Sequence, residues 1–157
     1  RWVNNPDAKD LTVLEEAIAR ITKEMMGISP RLVSEHYGGE NFGKGIIIRQ
    51  IYRSETGERI QIFLTYEEQM ILKIFGEVLG KSLPRVDRTV IYAVNQLAKM
   101  FVKRIRLHFA NVGAYRFEKE NVLSHEQLLK EFDRGPLYYS LLYDTGGKGY
   151  FAFSAIK

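Results

Sequence analysis

No cysteine occurs among the 157 residues, which excludes disulfides, thiolate metal sites and a cysteine nucleophile at one stroke. Histidine is scarce as well. His36, His108 and His125 are far apart, with no pair at the four-residue spacing that helical metal sites use, so we expect no metal and no cofactor. No run approaches the ~20 apolar residues of a membrane span, and the start carries no signal-peptide pattern. The reading is a cytoplasmic protein without membrane attachment. Charge of one sign is also in short supply: 23 Lys and Arg against 19 Asp and Glu leave a formal net charge of +4, too modest to name a partner.

What is present is apolar content of 45%, enough for one sizeable core in a single domain over residues 1–157, with 1–9 expected to be a linker or flexible start. Apolar residues from Asp10 to Met26 recur at helical spacing (Leu11, Leu14, Ile18, Ile21, Met25), with Asp10 as N-cap and Gly27 as stop. A short extended segment, Arg31 to Tyr37, follows Pro30. Two strand-like runs, Ile46 to Arg53 and Ile60 to Thr65, predict a hairpin with Ile60, Ile62 and Leu64 facing the core. A helix over Tyr66 to Leu79 ends at Gly80, and a longer one runs from Arg88 to Phe109.

Beyond Gly113 the period returns to two. Ala114 to Leu123 reads as extended, Ser124 and Gln127 form a capping box for a short helix to Phe132, and Arg134-Gly135-Pro136 stops it. Leu137 to Tyr143 and Tyr150 to Ile156 make a terminal hairpin. The order of elements describes an α+β domain with helices on one face of a mostly antiparallel sheet.

Two glycine-rich runs invite a nucleotide-binding reading. Gly38 to Gly45 has the spacing of a phosphate loop, but Gly45 stands where Ser or Thr would hold magnesium, and Ile46-Ile47-Ile48 favours a strand where a helix is required. It is a connecting loop. Thr145 to Gly149 is likewise the turn of the last hairpin. No Ser sits in a nucleophile elbow, and Glu67-Glu68 opens a helix, where carboxylates belong for structural reasons. Alternating Tyr138, Tyr139, Tyr143, Tyr150, Phe151 and Phe153 suit core and interface positions better than base stacking.

The long helix is the remaining candidate. Val90, Val94, Leu97, Phe101 and Ile105 mark its buried stripe, and Leu97 and Phe101 are expected in the core. On the opposite side lie Tyr92, Gln96, Lys99, Lys103 and Arg106, with Asn95 at the edge. This face carries amides and cations but no carboxylate.

Several local runs resemble the CheX-type chemotaxis phosphatases, relatives of CheC and FliY. Met26-Gly27-Ile28-Ser29-Pro30 resembles the exit of that family's opening helix. Phe63-Leu64-Thr65-Tyr66-Glu67-Glu68, Val78-Leu79-Gly80 and Gln96-Leu97-Ala98-Lys99-Met100 follow in the same order and at similar spacing, so the resemblance covers about Leu11 to Ile156. It implies a CheX/CheC-like fold and a CheY-like receiver domain of a response regulator as partner.

In that family a Glu on the long helix engages a Lys of the receiver. An Asn three residues later helps place the attacking water, with no covalent step. The matching positions are Gln96 and Lys99, and both depart. Gln96 lacks the charge for a salt bridge, and the Lys99 ammonium donates only and cannot orient water as a carboxamide does. A downstream Pro of the family is matched by Asn121. Asn95 is one residue, or about 100°, out of register. The resemblance with these departures implies a signalling domain of chemotaxis or two-component pathways, non-catalytic, that binds a receiver or forms a homodimer. The alternatives are an active phospho-aspartate phosphatase with an altered motif, and a basic-face binder of an anionic partner such as nucleic acid, ranked last because Lys99, Lys103, Arg104 and Arg106 make a short stripe.

Overall fold

The computed structural model describes residues 8–105, 115–135 and 137–156. Helix α1 (Ala8–Met26) leads into strand β1 (Arg31–Ser34), and strands β2 (Gly45–Ser54) and β3 (Arg59–Glu67) form the first hairpin. Three short helical pieces follow: α2 (Glu68–Met70), a π turn over Ile71–Phe75, and α3 (Gly76–Leu79). Helix α4 (Arg88–Ile105), strand β4 (Tyr115–Leu123), helix α5 (His125–Arg134) and strands β5 (Leu137–Asp144) and β6 (Tyr150–Ile156) complete the order.

All six strands join one antiparallel sheet in the order β1-β5-β6-β3-β2-β4. The two hairpins therefore lie side by side through β3 and β6, and β4 returns to the outside of β2. Alternation assigns Ile48, Gln50 and Tyr52 of β2 to the same side as Ile60, Ile62 and Leu64 of β3. That side meets Leu14, Ile18 and Ile21 of α1 and Val94, Ala98, Phe101 and Val102 of α4 in the main core. The Phe101 ring lies edge-on to Phe153 of β6 at 6.3 Å.

The opposite face of β3 is not solvated either. Gln61, Phe63 and Thr65 are all buried, because α5 covers the reverse face of the sheet. Phe63 packs there with Ile47, Leu123, Leu128, Phe132, Leu137 and Ile156, and its ring stands edge-on to Phe132 at 5.7 Å. The long helices share one face, and α5 closes a smaller second cluster on the other.

Local stops and starts follow side-chain chemistry. Ser124 accepts from the Gln127 amide at 3.1 Å while the Gln127 side chain accepts from the Ser124 amide at 2.8 Å, the reciprocal capping box expected for α5. Gly80, with φ of 67°, ends α3 in the left-handed conformation. At the other end of the chain α1 starts at Ala8, so Asp10 lies inside the helix and not at its N-cap, and residues 8 and 9 belong to the helix and not to a linker. Tyr66 belongs to β3, so the second helix begins two residues later than expected. For the long helix, the expected stretch beyond Ile105 falls outside the described residues.

Two carboxyl groups meet where α1 crosses the end of β1. Glu15 faces Glu35, and the Tyr143 hydroxyl donates to the Glu15 backbone carbonyl at 3.0 Å. Burial first, then the hydrogen bond with Glu35 and the charges of Glu35 and Glu16, push the Glu15 carboxyl up to about 7.

Candidate functional site

Helix α4 presents the expected face. Tyr92 is 66% exposed, Gln96, Lys99 and Lys103 are exposed, and Arg106 lies outside the described residues. Asn95 is half-buried, and its Oδ1 is enclosed without a hydrogen-bond partner among the described residues. Leu97 is only partly buried at the rim of the core, a correction to its expected central place, whereas Phe101 is 2% exposed. The difference arises because Ala98 and Phe101 point most directly at the sheet.

Lys99 is not a lone cation. Its Nζ lies 3.9 Å from Glu120 Oε1 and 5.4 Å from the centroid of the Phe117 ring, both on β4. The strand register explains the meeting: Glu120 pairs with Gln50, and a bulge between Ile51 and Tyr52 brings Phe117 opposite Tyr52, so both β4 side chains share the α4 side of the sheet.

Behind Lys99 the contacts continue inward. Gln50 Nε2 donates to Glu120 Oε2 at 2.7 Å, and the Tyr52 hydroxyl donates to Gln50 Oε1 at 2.7 Å. The Glu120 side chain is only 8% exposed. Burial raises its pKa, while the Gln50 hydrogen bond and the Lys99 charge pull it back. Lys99 is thus the outer end of a polar chain rooted in the sheet. Glu120 and Phe117 were not among the residues the sequence singled out.

The rest of the stripe is partly neutralised too. Arg104 pairs with Glu24 of α1, and Lys103 has no ion-pair partner among the described residues. On the reverse face, Asn121 accepts from Arg49 Nε at 3.1 Å. The Asn121 side chain is thus committed to the sheet.

The glycine-rich run from Gly38 to Gly45 is a loop that passes into β2, without a helix to receive phosphates. With Tyr37, Thr65, Ser124 and His125 it lines a pocket of about 120 Å³, and His125 Nε2 lies 2.6 Å from the Gly39 carbonyl. Thr145 to Gly149 is the hairpin turn, closed by the Thr145 amide donating to the Gly149 carbonyl at 3.1 Å. Tyr139, Tyr143, Phe151 and Phe153 are buried. Among the described residues no three His, Asp or Glu side chains are grouped to hold a metal ion, and no helix is long and apolar enough to cross a membrane.

No protein-family model and no curated protein sequence matches the chain. Solved structures do. A CheC-like superfamily protein from Shewanella sp. PV-4 superposes with a TM-score of 0.71 at 15% identity, covering 96% of this chain and 97% of that one. The chemotaxis protein CheX from Vibrio vulnificus gives 0.69 at 13% identity over 95% and 99% of the two chains.

The fold is that of the CheC and CheX proteins. A third match is the Borrelia burgdorferi complex of CheX with CheY, BeF3 and magnesium, with a TM-score of 0.68 at 7% identity over 93% of this chain and 96% of that one. At such identities the CheX-like fold is what is common. Side chains at the site must be judged on their own chemistry.

Proposed function

We propose that this CheX-like domain docks on a CheY-like receiver through the exposed face of α4 and does not discharge its phosphoryl group. The observation that carries the reading is the state of Lys99. Where the family's motif places a water-orienting carboxamide, this chain has an ammonium held between Glu120 and Phe117. An ammonium has no acceptor with which to align a water, and Gln96 has no charge with which to bind a receiver Lys. A row of exposed cations and amides does suit the acidic pocket of a receiver, by charge complementarity.

The test is the decay of a phosphorylated receiver with and without the domain, beside a binding titration. Unchanged decay with measurable binding supports the reading. Acceleration that vanishes in Lys99→Ala would instead make Lys99 an electrostatic catalyst acting on the phosphoryl oxygens. Lys99→Glu should weaken binding about tenfold; because it sets a second carboxylate beside the enclosed Glu120, a circular dichroism spectrum checks that the fold is kept. Binding is expected to fall with salt as exposed charges are screened over about 8–10 Å. Tight, sequence-independent DNA binding would favour the nucleic-acid alternative, against which the pairing of Lys99 and Arg104 within the chain already counts.

Self-association is the second reading, and it rests on β4. This nine-residue strand closes one side of the sheet with its outer backbone edge facing no other strand among the described residues. Light scattering across concentration would detect a homodimer. Charge reversal at Arg116, exposed on that strand, should then shift the equilibrium.

A further inference from the structure

We infer that Glu120 is a built-in competitor for Lys99, an internal carboxylate that occupies the docking cation until an acidic partner displaces it. The inference rests on the reading of α4 as a docking face and names how that face is regulated. Its geometry is one-sided. Glu120 is rooted by Gln50 at 2.7 Å and nearly enclosed, so it cannot leave; Lys99, 44% exposed on a long side chain and 3.9 Å away, can. The exchange of partners is therefore made by Lys99 alone, which swings from an intramolecular carboxylate to one supplied from outside.

Such a competitor sets a threshold. A dispersed or single anion gains little by taking Lys99, because the departing ammonium leaves Glu120 buried with only a neutral amide beside it. A receiver pocket offers several carboxylates converging on one point, and that concentration of charge is what outbids one internal carboxylate. Tyr92 and Met100 on α4, 66% and 56% exposed, and Phe117 and Val122 on β4, 44% and 43% exposed, border the same side and supply apolar surface for a protein partner, not for a nucleic acid backbone. Specificity then comes from a penalty on the wrong ligands as well as from attraction to the right one.

The decisive variant is Glu120→Gln, which keeps an acceptor for Gln50 and removes the charge. Its binding to a short poly-aspartate peptide and to a candidate receiver is compared with wild type by titration, together with the ring-current shift that Phe117 imposes on the Lys99 ε-methylene protons. The variant should bind the peptide about fivefold more tightly, and the Lys99 signal should move toward that of Lys103. The double variant Lys99→Met with Glu120→Gln should bind the peptide no better than Lys99→Met alone.

Equal or weaker peptide binding by Glu120→Gln overturns the competitor role, whatever the receiver does. Tighter peptide binding with no receiver binding by either protein leaves the competitor standing and removes the receiver as its target. If Glu120→Gln does not fold, the wild-type spectrum decides: a Lys99 signal indistinguishable from that of Lys103 means that no internal group holds it and overturns the inference.

Discussion

Arg49 of β2 reaches across to Glu131 of α5, Nη1 to Oε1 at 3.5 Å, with both side chains largely buried. The same guanidinium donates to Asn121 at 3.1 Å and Gln61 at 3.5 Å, so a single side chain ties three strands to the helix on the reverse face. Glu131→Ala should cost about 2–3 kcal/mol in urea unfolding, because it leaves a charge enclosed with neutral partners only. Replacing both Arg49 and Glu131 by apolar residues of similar size should cost less than that single change.

Phe101 anchors α4 to β6 through Phe153, and its side chain is almost fully enclosed. Phe101→Ala is expected to lose about 3–5 kcal/mol, read from the denaturation midpoint at constant m-value. A loss below about 1 kcal/mol would contradict its core placement.

Gly149 combines a φ of 101° with a Cβ direction aimed at the Met70 amide nitrogen, 2.9 Å away. Gly149→Ala meets both the left-handed backbone and the backbone of α2 at Met70. It should destabilise by about 2 kcal/mol or more, whereas Gly146→Ala, which has the backbone term without a neighbour within 4 Å, should lose less.

The Glu15 carboxyl holds its proton more tightly when folded, about 7 against an ordinary 4.5. The folded state then binds more protons than the unfolded chain between those values, so this contribution to stability is full below pH 4.5 and declines as pH rises to 7. Glu15→Gln, which cannot ionise, should gain about 1 kcal/mol on wild type at pH 8 relative to pH 4.5, allowing for solvent screening. Paired thermal melts at the two pH values measure it.

Much of this was legible in the sequence where the signal is local. The α5 cap lies within four residues, Ser124 to Gln127, and the stripe of α4 repeats over five turns. The covering of Phe63 was not, because alternation within β3 cannot reveal that α5, some sixty residues downstream, closes the second face. Asp10 misled as an N-cap because a good capping residue is also tolerated inside the first turn of a helix. The two faces of α4 were readable, but the pairing of Lys99 with Glu120 depends on the register of β4 and on a bulge within it, neither of which leaves a trace in periodicity.

The coverage of both faces of β3 has a consequence for motion. Strands β3 and β6 sit inside the sheet between two packed layers, so their amides should be among the slowest to exchange with solvent, opening only with the whole molecule. Helix α4 rests on that slow-exchanging slab through Val94, Ala98 and Phe101. A partner arriving on its outer side meets a surface already held in shape, so little ordering entropy is lost on contact and association can proceed close to rigid-body docking.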